Sequence, residues 1–306
     1  MKRYKVLWLD DECRTLEFLN ESAFLKDIDL IGFTNSYEGV KELESNLLQY
    51  DAVLLDGIFF ESEKENGDVT SGDQALVEVL YTIKNLVNTK KIPWFILSGQ
   101  SSFQKGENPY LKKFQVNKVY DKNSPTDLEE LWQRIKDQAD KQVDTQVRHK
   151  YKEVLACFSP EILGDANYDD FIEILVKMES GVEVGNCFNA LRRVLEDLLL
   201  SIINYGLLSS DFMDKAKGTP NITLSIRAIK GLEVDKYGLE KNPDPIVDPK
   251  KNGGIASCFD VISGFTNTGS HTSSSKLDHY VLQTVTNAFC SLILWYENLL
   301  KEKNYI

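Results

Sequence analysis

The sequence predicts a doubly wound α/β domain, with five parallel strands and helices on both faces, followed by an all-helical bundle. Short apolar runs alternate with segments of helical spacing through about the first 125 residues. The runs are continuously apolar, which suits strands buried on both faces. Beyond about residue 150 the periodicity is helical, interrupted by loops rich in Gly and Pro. A length of 306 residues suits two domains, and 42% hydrophobic and 10% aromatic residues suffice for ordinary packed cores.

The first run, VLWL (6–9), ends in Asp10, Asp11 and Glu12. IDLIGF (28–33) follows and ends only in Thr34 and Asn35, as a peripheral strand does. A helix is expected over SYEGVKELESNLLQ (36–49), then the strand AVLL (52–55), closed by Asp56. The long acidic stretch ESEKENGDVTSG (61–72) reads as a flap near that aspartate. SGDQALVEVLYTIKNLV (71–87) has helical spacing, WFIL (94–97) ends in Ser98, and NKVY (117–120) ends in Asp121 and Lys122. Pro125 marks a helix start, and Leu128, Leu131, Trp132 and Ile135 recur on one face. Over 136–150 charged residues dominate, which reads as a solvated connector in preference to a dimer seam through Val143 and Val147.

The domains are therefore expected at 1–138, with a helical linker at 139–160 and a helical effector at 161–306. In the last part, 188–206 is a long helix ending at Gly206, and 280–303 is a helix with a buried middle. GTPN (218–221) and 240–254 read as loops.

Parallel sheets bind ligands outside the carboxyl ends of their strands, at a topological switch point. Carboxylates, a hydroxyl and an ammonium collect at that edge here. Acids crowded together repel and need a cation, a proton or open water. An aspartate at a strand end also serves as a helix N-cap, so each acid alone has two readings.

LDDE, AVLLDG, FILSG and VYDK, in this order and at these strand ends, resemble the receiver domain of bacterial response regulators over roughly residues 3–138. The resemblance implies a Mg²⁺ site in which Asp11 and Asp56 ligate directly, Asp10 acts through water, and the Ile58 carbonyl adds a ligand. It also implies that Asp56 is the phospho-acceptor, served by a histidine kinase or phosphotransfer protein. Lys122 then balances charge and Ser98 donates a hydrogen bond to a phosphoryl oxygen. Glu12 is expected to face solvent or cap the first helix. Asn123 follows Lys122 where the family usually has proline, and Val119 stands where it often has an aromatic residue.

The stretch VISGFTNTGSHTSS (261–274), with the helices around it, resembles HEPN-type helical domains over roughly 170–303. Ile262, Asn267, Ser270 and His271 fit that pattern. Ser263 and Thr266 stand where arginines are placed in branches of that family. An acid–base histidine without a cation beside it is a poor RNA cleaver. Asn267 and His271 are therefore expected to fix helix packing by hydrogen bonds. A receiver-controlled ribonuclease is the alternative, with Arg192, Arg193 or Arg227 as the conceivable cation.

Five scattered cysteines (Cys13, Cys157, Cys187, Cys258, Cys290) form no CxxC pair, which argues against zinc and a disulfide framework. A net charge of −12, shared by both halves, and the lack of a basic recognition helix speak against DNA. No apolar stretch approaches the length of a membrane span, so a cytoplasmic protein is expected. The combined expectation is a response regulator whose helical effector acts through protein contacts, with homodimerisation possible. A degenerate receiver in a structural adaptor is disfavoured by the intact Asp11, Asp56, Ser98 and Lys122.

Overall fold

The strands Tyr4–Leu9 and Ala52–Leu55 are buried on both faces along nearly their whole length, and this explains their uninterrupted apolar runs. The structure, a computed structural model, describes all residues except 1, 59–72, 87–89, 101–102, 104–108, 182–186, 235–237, 240–244, 249 and 272–277. The flap expected at 61–72 lies outside the described residues. The chain divides into two units, Met1–His149 and Lys150–Ile306.

In the first unit the strands are β1 (Tyr4–Leu9), β2 (Ile28–Phe33), β3 (Ala52–Leu55), β4 (Trp94–Ser98) and β5 (Val119–Asp121). They form one sheet of order β2-β1-β3-β4-β5, parallel throughout. This is the doubly wound order with its switch point between β1 and β3. The helices are α1 (Glu17–Phe24), α2 (Ser36–Ser45), α3 (Asp73–Asn85), α4 (Pro109–Lys113), α5 (Pro125–Ala139) and α6 (Val143–Lys150).

Alternate residues of β1 face opposite sides. Leu7 and Leu9 join Val53, Leu55 and Ile96 under Leu43 of α2 and Leu76, Val79 and Leu80 of α3. Val6 and Trp8 join Leu54 and Leu97 under Leu19 and Ala23 of α1 and Leu131, Trp132 and Ile135 of α5. α5 begins as its sequence dictates: Pro125 occupies the first turn, and Ser124 accepts from the Asp127 amide at 3.3 Å. α2 ends at Ser45, earlier than its periodicity predicts, and Leu47–Gln49 tighten into a 3₁₀ turn.

The charged stretch before residue 150 departs from the connector reading. α6 is docked at the amino edge of the sheet. Asp51 Oδ2 accepts from the Lys5 amide at 2.7 Å, and Oδ1 accepts from Thr145 Oγ1 at 2.6 Å and from Arg148. Arg148 also reaches Asp144 at 2.8 Å, and Asp144 pairs with buried Lys90. Composition implied a solvated face, whereas the charges are buried because they satisfy one another.

The second unit holds α7 (Lys152–Ala156), α8 (Tyr168–Ser180), α9 (Cys187–Asn204), α10 (Ile222–Ile229), α11 (Gly253–His271) and α12 (His279–Glu302). α12 packs on α8, α9 and α11 through Leu282, Val285, Phe289, Leu292, Ile293, Tyr296 and Leu300, an i, i+3, i+4 stripe. Beyond α9, Gly206 takes φ 69°, and the Leu207 amide returns to Ile202 O at 3.1 Å. This left-handed closure favours glycine. The segment read as the GTPN loop contributes a two-residue strand, β7 (Thr219–Pro220), antiparallel to β6 (Met213–Asp214). Among the described residues, no helix is long and apolar enough to cross a membrane.

Candidate functional site

Parallel registry brings the carboxyl ends of β1, β3, β4 and β5 to one edge. Leu9 stands opposite Leu55, Leu55 opposite Ile96, and Ser98 opposite Asp121. The residues that follow each strand therefore meet beside the switch point. The Asp56 amide donates to Leu9 O at 2.8 Å, which fixes the exit of β3 next to that of β1.

Asp10 and Asp56 are buried, and so is Lys122. Lys122 Nζ lies 2.7 Å from Asp10 Oδ2 and 3.0 Å from Asp56 Oδ2. Asp56 Oδ1 accepts from the Gly57 amide at 2.6 Å. Asp10, Asp11 and Asp56 each offer a carboxylate oxygen within 4.8 Å of the others. Burial, with Asp10 adding to it, pushes the Asp56 carboxyl up to about 6 against the opposing Lys122 and Gly57 amide. Burial and then Asp10 raise Asp11. Burial alone lowers a lysine, yet Asp56 and Asp10 outweigh it and hold Lys122 above its ordinary range.

The turn after β5 is built to present Lys122. The Asp121 amide donates to Asp127 Oδ2 at 3.0 Å, and the Asn123 amide to Asp121 Oδ1 at 2.9 Å. Ser98 is buried, with the Gln100 amide 3.3 Å from its hydroxyl. Ile58, whose carbonyl was expected to face a metal, is half-buried against the core.

The capping reading finds no support among the described residues. Asp10 Oδ1 accepts from the Glu12 amide at 3.0 Å in a local turn, and α1 starts later, with no side-chain cap. Glu12 is exposed and caps nothing described.

Sequence reasoning missed Gly57. A Cβ there would lie 2.7 Å from Ser98 Oγ and 3.0 Å from the buried Phe103 ring. Glycine is the residue that lets Ser98 stand beside the end of β3. The signal was the G of AVLLDG, but its reason lies in a through-space neighbour.

Three carboxylates converging on one point, with oxygen donors only, are the chemistry of a Mg²⁺ site. The residues present fit that ion.

The second-unit candidates are less defined. Asn267 and His271 lie on α11, and their side chains are outside the described residues. Ile262 is buried. Thr266 is also buried, and its hydroxyl donates to Ile262 O at 2.8 Å. Ser263 donates to Asp260 O at 3.3 Å. Arg192 is paired with Glu196, Arg193 with Asp170, and Arg227 donates to Glu233 O at 2.7 Å.

The first unit has the receiver fold. Strand order, parallel pairing and helices on both faces are those of the doubly wound flavodoxin-like order that receiver domains share. No family model matches the chain, and no curated protein matches it. Among solved structures, it is similar to the Francisella response regulator 1452 receiver domain at 18% identity, covering 45% of this chain and 98% of that one, TM-score 0.31. A response regulator receiver domain protein from Clostridium thermocellum has 16% identity, 45% and 95% coverage, and TM-score 0.31. Full-length FixJ from B. japonicum has 14% identity, 68% and 100% coverage, and TM-score 0.33. The functional reading of the site rests on its own geometry and not on these likenesses. The comparisons offer no support for the HEPN resemblance of the helical unit.

Proposed function

We propose that this protein is a two-component response regulator that accepts a phosphoryl group on Asp56 from a histidine kinase or phosphotransfer protein. The observation that carries the reading is Lys122 Nζ, 3.0 Å from Asp56, beside three carboxylates whose oxygens lie within 4.8 Å of one another. In the transfer an Asp56 oxygen attacks the phosphorus of a phosphohistidine. The P–N bond breaks and its electron pair leaves with the imidazole. Lys122, released from its ground-state pairing, neutralises a phosphoryl oxygen, and Ser98 donates a hydrogen bond to another.

Asp11, Asp56 and the Ile58 carbonyl would hold Mg²⁺, with Asp10 acting through water. When bound, the ion supplies positive charge for the phosphoryl oxygens. Asp10 and Asp56 then keep Lys122 charged and aimed at the acceptor. The helical unit passes the signal on through protein contacts. No observation among the described residues favours a ribonuclease: Thr266 is buried with its hydroxyl bonded to Ile262 O, and each candidate arginine has a partner. The first part of the chain, 1–138, is the proposed receiver, with the docked helix α6 belonging to the same unit, Met1–His149, and 161–306 is the proposed effector.

Intact-mass measurement with a small phosphodonor and Mg²⁺ tests the acceptor. One hydroxylamine-labile phosphoryl group is expected on the native chain and none on Asp56→Asn. Equal labelling of both at the same rate removes the assignment.

A further inference from the structure

The helical unit contains a pocket of its own, wholly separate in sequence from the acidic site. Its cavity, about 380 Å³, opens between residues 160–164 and one face of α9. Small-ligand pockets span roughly 300–1,000 Å³. Asp197, Ser201 and Asn204 recur at helical spacing along α9, and with Tyr205 just beyond its end they line it together. Two of its lining residues are acids, Asp197 and Glu161, and none is a lysine or arginine.

Asp197 is half-buried, and Asn167 Nδ2 donates to its Oδ2 at 2.5 Å. Burial, with Glu196 adding to it, raises its carboxyl above the ordinary range, against that hydrogen bond and Arg193. Arg193, one turn earlier on the helix, is engaged elsewhere: it pairs with Asp170 and its Nε donates to Asn167 Oδ1 at 3.3 Å. Among the described residues, no lysine or arginine forms an ion pair with Asp197. A partly desolvated carboxylate lining a cavity without a cation is a recognition element for one.

The other end of the pocket is aromatic. The Tyr205 hydroxyl is tied to Glu161 O at 2.5 Å, and its ring centroid lies 5.1 Å from that of Tyr305. Aromatic faces attract alkylammonium and guanidinium groups. The floor is fixed, because the Ser201 hydroxyl donates to Ile162 O and meets Tyr296 OH at 2.8 Å.

We propose that this pocket binds an ammonium or guanidinium group on a short alkyl chain, with Asp197 as counter-ion and Tyr205 as the aromatic wall. The group belongs to a free small amine or to a lysine or arginine side chain of a protein partner.

The test uses calorimetry on the full chain with butylguanidinium, with an N-acetylated, C-amidated arginine tetrapeptide, and with butylurea as the neutral isostere. Saturable binding of at least one charged probe is expected, with butylurea at least tenfold weaker, a difference of about 1.4 kcal/mol or more. Asp197→Asn should weaken charged-probe binding at least tenfold. Asn204 is exposed, so Asn204→Arg places a competing cation in the pocket without disturbing the core and should do the same. Tighter binding of the peptide than of butylguanidinium identifies a partner's side chain as the source, and the reverse order identifies a free amine. No saturable binding, equal binding of butylurea, or unchanged binding in both variants overturns the proposal. Phosphoryl labelling at Asp56 is read separately, so failure here leaves that reading intact.

Discussion

Two residues beside Asp56, the proposed acceptor, set the terms of its chemistry. Asp11 adds charge to a crowded edge and has no cation of its own among the hydrogen bonds that hold Asp10 and Asp56. Asp11→Ala should abolish measurable Mg²⁺ binding in calorimetry. The same change removes a repelling charge, so the metal-free chain should unfold roughly 1–3 °C higher in a thermal scan. Gly57 is restricted by space, since a methyl group meets Ser98 and Phe103. Gly57→Ala should slow phosphoryl labelling roughly ten- to hundredfold by displacing Ser98, while circular dichroism stays native. Asp10, Asp11, Asp56, Ser98 and Lys122 were legible in the sequence because a parallel sheet gathers all its carboxyl ends at one edge. Gly57 was not, because its restriction comes from side chains far along the chain.

The elements were legible to a similar depth. β1, β3 and β4 stand out as continuous apolar runs because both of their faces are covered. α6 was misread because a buried ionic network and a solvated face have the same composition. Its energetics depend on pH in a definite direction. Burial pushes Lys90 down to about 8, with Arg148 adding to the shift and Asp144 opposing it. Between that value and the unfolded value of about 10.4 the unfolded chain holds the extra proton. Stability contributed by Lys90 therefore rises with pH across this window, and the cost of its buried charge is full below it. Asp144 has the opposite exposure to acid. Burial raises its carboxyl, but Lys90 and Arg148 outweigh it and hold it below the ordinary range, so its contribution is lost as pH falls through the folded value. Urea unfolding of native chain and Lys90→Met at pH 7 and 9.5 should shift their difference toward the native chain by about 1–2 kcal/mol at the higher pH. No shift would show that Lys90 keeps an ordinary proton affinity.

For the whole molecule, the question is what phosphorylation changes. The receiver reading implies that a phosphoryl group on Asp56 draws Ser98 toward it and alters the surface of α4, β5 and α5. Couplings of this kind are worth about 1–3 kcal/mol, or several-fold to about a hundredfold in an equilibrium. Sedimentation with and without beryllofluoride should therefore reveal a change in self-association or partner binding of that size. Incubation of both forms with mixed RNA should leave the RNA intact. Cleavage that disappears in His271→Ala would replace the binding-module reading with the ribonuclease. The helical half was legible as helices because its apolar stripes repeat. Its task was not, because the Asp197 pocket joins two segments that no local motif connects.

β3 has only four residues, Ala52–Leu55, and both of its ends are anchored. Asp51 is held by the Lys5 amide and Thr145, and Asp56 by Leu9 O and Lys122. Each residue advances a strand by about 3.3 Å and alternates its face. Losing or gaining one residue would therefore pull one anchor out of reach and turn the core side chains to the wrong faces. The strand acts as a ruler between two charged edges. Its letters can drift among apolar residues of similar volume, but its length is closed to insertion and deletion.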